Sequence, residues 1–303
     1  REQVEIATDS ITIKNYGNDK VVVSGTEPVL EWESIGNEVH YALVPWDITE
    51  NDESNQVFVD GEMIHLVRWP KQVNKDFVTD PNVALVDDAE NSGSKSVIIK
   101  DAEFTEPKNR WLNSMVWVNL ANNHDGQGWT GEVSFISEST KSLKLSPTGS
   151  GIHAEDGHNP WAVQTGTEYY LFNPTSQGVY STGGPEAILA RGEWWKNGDT
   201  LFVRMPDGKA PASNPEKPNL VEAKKRLWAF IPAGSDNMHH VTIKGLHIFA
   251  SSITTDRQYY GVNLAVNSHH NVIDSITATY VTHFIDQTGH YQSQWYARTG
   301  IIL

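Results

Sequence analysis

Apolar and polar residues alternate in short runs along most of the chain. Val4 and Ile6 flank Glu5 near the start, and residues 11–16 alternate in the same way. A period of two is typical of a half-buried strand, because successive side chains point to opposite faces of a sheet. The pattern therefore predicts an all-β fold. Residues 185–190, which begin with proline, are the best candidate for a short helix.

Two dipeptides predict tight hairpins between strands. Asp60-Gly61 and Asn197-Gly198 each lie between two apolar runs. Both dipeptides favour positive φ, which the tightest hairpin turns require. We therefore expect antiparallel hairpins at both places, within a region 31–235 that is mostly strand.

An internal repeat lies toward the C-terminal end. Residues 241–248 align with 272–278 at an offset of 30, which matches Ile243 with Ile273, and residues 9–14 carry a similar pattern around a third isoleucine, Ile13. Short apolar triplets that return after about 20–40 residues, each preceded by a polar turn, are typical of a solenoid. We therefore expect these strands to stack in parallel and in register.

A second match has a different spacing. Residues 261–264 are similar to residues 300–303, an offset of 39 rather than 30. The difference predicts that the loop 279–299 is longer than its counterpart 249–260. Insertions of this kind project from the face of a solenoid and often build a binding site.

Eight short segments carry a family resemblance that spans most of the chain: 57–61, 68–70, 192–195, 201–203, 222–226, 229–230, 241–246 and 252–256. They resemble secreted bacterial right-handed parallel β-helix proteins of the pectate-lyase-like superfamily. Members act on extracellular polysaccharides as glycoside hydrolases or as lyases. The resemblance implies an all-β, right-handed parallel β-helix with a large β-rich insertion, in a secreted, extracellular protein.

This resemblance also implies a division of the chain. Residues 1–30 would form an early coil, residues 31–235 a β-rich insertion packed on the solenoid, and residues 236–303 further coils. The chain begins within a strand-like run and ends on the apolar residues 301–303. We therefore expect it to be truncated at both ends, with the rest of its own longer chain as a partner of the exposed coils.

Composition excludes several classes of protein. The 38 acidic residues outnumber the 23 lysines and arginines, and the net charge of -15 argues against a nucleic-acid partner. Because cysteine is absent, disulfide scaffolds, cysteine zinc sites and cysteine nucleophiles are excluded. No apolar run approaches the roughly 18 residues of a membrane-spanning helix, so no membrane span is expected.

Asp256 and Asp286 are the candidate catalytic carboxylates. They are separated by the offset of the repeat, which would place them on neighbouring coils. Neighbouring strands lie about 4.8 Å apart, close to the roughly 5 Å between the carboxyl groups of a retaining glycosidase. His283 is the third catalytic candidate, because imidazole transfers protons near neutral pH. The alternative is that both aspartates are ordinary turn formers at strand ends.

Candidate substrate-binding residues lie in the same two loops: Arg257, Tyr259, Tyr260, His290, Trp295 and Arg298. Flat aromatic rings can stack on sugar rings, although they can equally pack at the edge of a coil. For a lyase, the arginines would neutralise a uronate and His283 would act as the base. Surface or turn positions are the alternative for these charged residues.

The sequence thus predicts an enzyme that degrades an extracellular polysaccharide or oligosaccharide. Hydrolysis is favoured over a lyase reaction, because a net charge of -15 repels a highly anionic substrate. A non-catalytic carbohydrate-binding or adhesion module is the other alternative. No cofactor is expected, with Ca²⁺ as the alternative. The candidate Ca²⁺ segments are residues 122–128 and 87–90, which are acidic or polar, although residues 122–128 lack the regular ligand spacing of a Ca²⁺ loop.

Overall fold

The computed structural model describes residues 1–46, 55–72, 82–91, 96–119, 128–147, 163–233, 238–254, 268–281 and 301–302. These ranges contain 26 strands, β1–β26, and three short helices, so the all-β prediction is confirmed. The helices are α1 (Lys108–Trp111), α2 (Ser176–Ser181) and α3 (Pro185–Ile188). The last of them begins at the predicted proline.

Ten strands form three small sheets in which all neighbours are parallel. The first contains β1 (Val4–Ile6), β20 (Trp228–Pro232), β23 (Ser252–Thr254) and β26 (Ile301–Ile302). The second contains β2 (Thr12–Lys14), β21 (Thr242–Lys244) and β24 (Val272–Asp274), and the third contains β3 (Val22–Ser24), β22 (His247–Phe249) and β25 (Thr277–Thr279).

The predicted parallel stacking of the repeat is confirmed in these sheets. Ile13 pairs with Ile243, which pairs with Ile273 on its other side. Ile243 and Ile248 are fully buried in one core, on which Ile13 and Ile273 also pack. Burial of one apolar side chain per strand therefore sets the register of the stack, because a slip of one residue would expose it.

Sixteen strands form two eight-stranded sheets, A and B. Sheet A contains β4 (Thr26–Val29), β5 (Glu33–Gly36), β6 (Val39–Leu43), β7 (Val57–Val59), β8 (Glu62–Leu66), β17 (Glu193–Asn197), β18 (Thr200–Arg204) and β19 (Val221–Lys224). Sheet B contains β9 (Arg68–Trp69), β10 (Ala84–Leu85), β11 (Asp88–Asn91), β12 (Val97–Lys100), β13 (Met115–Asn119), β14 (Gly128–Ser137), β15 (Ser142–Pro147) and β16 (Glu168–Phe172).

The prediction of a right-handed parallel β-helix is wrong as a description of this chain. Among the described strands, the 16 of sheets A and B are paired antiparallel, with β8–β17 as the parallel exception. The molecule is an all-β protein of mixed sheets. Part of the reason is local, because pairs such as β7–β8 and β17–β18 are hairpins, and a tight turn can join only antiparallel strands. The other part is tertiary, because pairs such as β4–β19 and β13–β16 join strands that are far apart in sequence.

Both predicted hairpins are present. β7 and β8 are joined by Asp60 and Gly61, whose φ angles are 52° and 82°. β17 and β18 pair Asn197 with Thr200, so the tight turn lies one residue later than the dipeptide, at Gly198. Its φ of 54° is the positive value that the turn requires.

Sheets A and B share a hydrophobic core. Tyr170 and Phe172 of β16 pack with Val57, Trp194 and Val221 of sheet A. All five side chains are buried. The two large sheets are therefore packed against each other through apolar side chains, which provide the main stabilising term for such a contact.

Gly25 lies where the chain passes from the parallel stack into sheet A. Its N–H donates to the Phe249 carbonyl, and its own carbonyl accepts from the N–H groups of Lys225 and Arg226, where the chain returns. A Cβ at this position would lie 2.5 Å from the Ala250 carbonyl oxygen. The residue is therefore glycine because two backbone segments approach it too closely for a side chain.

We expect Gly25→Ala to lower the free energy of unfolding by about 3 kcal/mol, the upper end of the range for overpacking. Two of the three nearest atoms are the backbone oxygens of Ala250 and Arg226, which cannot rotate away as a flexible side chain would. The N–H groups of both residues are also held by hydrogen bonds, to the carbonyls of Thr279 and Gly25. Urea denaturation measures the change. Gly17→Ala is the control: Gly17 has a φ of 56° but nothing within 4 Å, so the cost should be only about 1 kcal/mol. Equal losses in the two variants would contradict the crowding argument.

Candidate functional site

The nine residues that the sequence predicts for the site lie outside the described residues: Asp256, Arg257, Tyr259, Tyr260, His283, Asp286, His290, Trp295 and Arg298. Their roles therefore stay predictions. Of the two candidate Ca²⁺ segments, residues 122–127 also lie outside the described part. Asp87 and Asp88 are described, and both are already engaged: Asp87 Oδ2 accepts from the Ala102 N–H at 2.7 Å, and Asp88 Oδ2 lies 2.7 Å from Lys100 Nζ.

The strand register contradicts the offset of 39 residues by which the loops 249–260 and 279–299 were compared. β26 pairs with β23, so that Ile301 lies opposite Ile253 rather than matching Val262. The match of residues 261–264 with 300–303 was therefore wrong, because several short apolar triplets in this region look alike. By chain order, Asp256 follows β23 whereas Asp286 precedes β26. Neighbouring positions for Asp256 and Asp286 therefore have no support from this sheet.

The segment 282–300 begins at a point that sheet A holds in place. Tyr280 donates its hydroxyl proton to Glu62 Oε2 at 3.2 Å, and its ring lies 5.2 Å from that of Phe58. Phe249 completes the aromatic group, with its ring 4.9 Å from that of Phe58. Strands β7, β8 and β22 therefore fix the residues immediately before the segment that contains His283 and Asp286.

Lys224 makes a second contact to the same point. Its ammonium group donates to the Val281 carbonyl at 2.8 Å and to Gln56 Oε1 at 2.9 Å. The residue is 2% exposed, and burial lowers its pKa from 10.5 to about 7. Because desolvation penalises the charged amine, the position is costly for lysine. The contact to Val281 gives a structural reason for placing an amine here.

A small cavity adjoins Lys224. Its volume is about 10 Å³, and Trp46, Asn55, Trp194 and Lys196 contribute to its lining. This is about the space that one water molecule needs, and it is far too small for a sugar ring. Lys224 is therefore a positioning residue for the strand end at Val281, rather than a group that meets a substrate.

A buried guanidinium lies at the junction of sheets A and B. Arg68 is 5% exposed and donates to the carbonyls of Pro70 at 3.1 Å and Asn82 at 2.5 Å. Its guanidinium carbon lies 3.9 Å from the centroid of the Tyr170 ring, in a cation–π contact. Burial lowers the pKa of Arg68, while Tyr170 and Glu193 act in the opposite direction.

Glu193 of β17 is the nearby buried carboxylate. It is 2% exposed, and burial raises its pKa, against the stabilising charge of Lys71. Its Oε2 atom accepts from Lys71 Nζ at 2.6 Å and from the Ala190 N–H at 2.7 Å. The charge of Glu193 is balanced by the positive charges of Lys71 and Arg68. We therefore interpret these three side chains as a structural network.

The group of described side chains that could hold a metal ion is His240, His269 and His270. Sequence reasoning missed it and Lys224. The signal for the histidines was present, because His239-His240 precedes His269-His270 by the offset of the repeat. No such signal exists for Lys224, whose burial depends on strands far away in the sequence. Among the described residues, no helix has the length and apolar character needed to cross a membrane.

Comparisons with known proteins bear on the fold. No protein-family profile and no curated protein matches the chain. A solved structure described as a glycoside hydrolase is similar to it, with a TM-score of 0.50 and 14% identity, over 79% of this chain and 38% of that one. A complex of XylC with xylose is 14% identical over 94% of this chain and 36% of that one, with a TM-score of 0.34. The chain spans less than two fifths of either structure, and at this identity the first similarity shows the fold alone.

Proposed function

We propose that this chain is part of a carbohydrate-active enzyme of the glycoside hydrolase class. The supporting observation is the similarity in fold to a glycoside hydrolase over 79% of the chain. One fold can host several activities, so the reaction depends on the residues of the site. The substrate we propose is a neutral polysaccharide or oligosaccharide, since the net charge of -15 opposes an anionic one, and the location we propose is extracellular.

The proposed chemistry uses the two segments that leave the parallel stack. Asp256 and Asp286 are the acid and base or nucleophile, and His283 assists proton transfer. Aromatic residues of the same segments, such as Tyr260 and Trp295, stack on sugar rings. The anchoring of Val281 supports this proposal, because a segment that carries catalytic groups must begin from a rigid position.

Asp286→Asn in the full-length protein should lower kcat by about 10²-fold or more, because an amide neither donates nor accepts the proton as a carboxyl group does. Turnover is followed by the release of new reducing ends from a panel of neutral polysaccharides. Asp274→Asn is the matched control. Asp274 is a half-buried aspartate of β24 whose carboxylate lies 2.5 Å from Lys244 Nζ, and its loss should leave kcat unchanged. Unchanged turnover in a folded Asp286→Asn variant would remove this residue from the mechanism.

The same panel separates the other classes. Unsaturated products that absorb near 235 nm from uronic-acid polysaccharides would identify a lyase and overturn the hydrolase proposal. Retention on a polysaccharide column without any new chain ends would identify a binding module. In that case Trp295→Ala should abolish retention, whereas Asp286→Asn should not.

A further inference from the structure

Four histidines occupy equivalent turns of two successive repeats. The turns lie immediately before β21 and β24, and His239 and His269 face each other as a parallel bridge. His240 and His270 both have a φ of 56°. Ser10, in the equivalent turn before β2, has a φ of 58°. Each of the three turns therefore contains one residue with a left-handed backbone conformation, and in two of the turns that residue is a histidine.

The stacked turns bring the imidazole rings together at the surface. The rings of His240 and His270 are stacked with centroids 4.8 Å apart and an angle of 2° between their planes. His269 Nδ1 and His270 Nδ1 lie 2.9 Å apart. The ligand atoms of His240, His269 and His270 all lie within 4.8 Å of one another, and all three residues are exposed.

We infer that His240, His269 and His270 form a binding site for a divalent first-row transition metal such as Zn²⁺. Tetrahedral zinc with Zn–N distances of about 2.0–2.1 Å places its ligand nitrogens about 3.3 Å apart. In the structure, the ligand atoms of the three histidines already lie within 4.8 Å of one another, so each is near that distance from the others. Because the rings are exposed, small rotations about their side-chain torsions can close the site without moving the backbone.

The ligand set determines which metal is bound. Imidazole suits zinc, copper and nickel, whereas Mg²⁺ and Ca²⁺ prefer oxygen ligands. Three protein nitrogens leave a fourth position for water. His239 adds support from the side: its ring stacks on that of His269 with centroids 5.2 Å apart, and its Nδ1 lies 3.3 Å from Asp9 Oδ2. His239 therefore packs against one face of the ligating His269 ring.

A metal at this position would join two successive repeats. His240 belongs to the turn before β21, whereas His269 and His270 belong to the turn before β24. The three nitrogens come together only when the turns are stacked. The metal therefore binds the folded state in preference to the unfolded chain, and it should stabilise the stack by mass action.

The test measures Zn²⁺ binding by equilibrium dialysis and thermal unfolding with and without Zn²⁺. We expect one Zn²⁺ per chain at this site and a higher Tm with Zn²⁺, but no rise in Tm with Mg²⁺. His240→Asn and His270→Asn remove the imidazoles, while asparagine tolerates the left-handed backbone. Each should weaken binding by more than the roughly 10–100-fold that loss of a supporting partner costs, with Tm unchanged in the absence of metal. His247→Asn is the control, because His247 lies on β22 and bonds to Thr279 outside the group.

Either of two results would overturn the inference: no increase in Tm with Zn²⁺, or equal Zn²⁺ binding by a His240→Asn, His270→Asn double variant. The first would show that the rings form only a packing ladder, and the second would place the zinc elsewhere. If a variant fails to fold, X-ray absorption of the unmodified chain with Zn²⁺ decides the question. It should show about three nitrogen ligands from imidazole at about 2.0 Å, and a shell of oxygen alone would contradict the site.

Discussion

The chain should gain stability against unfolding between about pH 7 and pH 10.5, and Lys224→Met should remove much of that gain. Burial lowers the pKa of Lys224 to about 7, against 10.5 in the unfolded chain. Between these values the unfolded state binds more protons than the folded state, so stability rises with pH. At about 1.4 kcal/mol per pKa unit, the full window corresponds to roughly 5 kcal/mol.

Urea denaturation at several pH values between 6 and 10.5 measures this effect. Below pH 7 the buried amine is charged, so the cost of burying that charge is fully present. Lys224→Met removes this cost and should therefore increase stability most at low pH. The loss of the hydrogen bonds to Gln56 and Val281 acts in the opposite direction. Lys209→Met is the control, because the side chain of Lys209 is 76% exposed. Parallel pH profiles for the unmodified chain and Lys224→Met would contradict a lysine titrating inside the protein.

Arg68→Met should lower the free energy of unfolding by about 3–5 kcal/mol, the range for loss of one partner from a buried charged network. Methionine keeps much of the apolar stem, so the loss would report the guanidinium. Without it, the carbonyls of Pro70 and Asn82 lose their donor, and the Tyr170 ring loses its cation. The charge of Glu193 would also lose a stabilising neighbour.

Urea midpoints at pH 7 test this prediction. Arg191→Met is the matched control, because the Arg191 side chain is 54% exposed and pairs with Glu38 on the surface, where ion pairs contribute little. A midpoint for Arg68→Met equal to that of Arg191→Met would show that the buried guanidinium contributes no more to stability than an exposed one.

Local patterns in the sequence predicted the parts of the fold that depend on near neighbours. Alternating residues predicted strands, and Asp60-Gly61 predicted a hairpin that the structure contains. The internal repeat predicted the parallel register of Ile13, Ile243 and Ile273. The strands and the hairpin depend on patterns of a few residues, and the parallel register depends on one repeated apolar position. The sequence alone is therefore sufficient to predict these three features.

Tertiary structure decided the rest. The partner of Ile301 is Ile253, because similar apolar triplets compete for one place in the sheet and only burial in the complete stack selects among them. Lys224 is an ordinary strand residue in the sequence, and its low pKa arises from the burial of its amine in the folded chain. The sequence by itself determined that the protein is built of strands with a short parallel repeat. Only the packed structure decided which strands of sheets A and B pair, because pairs such as β4–β19 and β13–β16 join strands that are far apart along the chain. Only the side-chain orientations of that structure bring the ligand atoms of three histidines within 4.8 Å of one another.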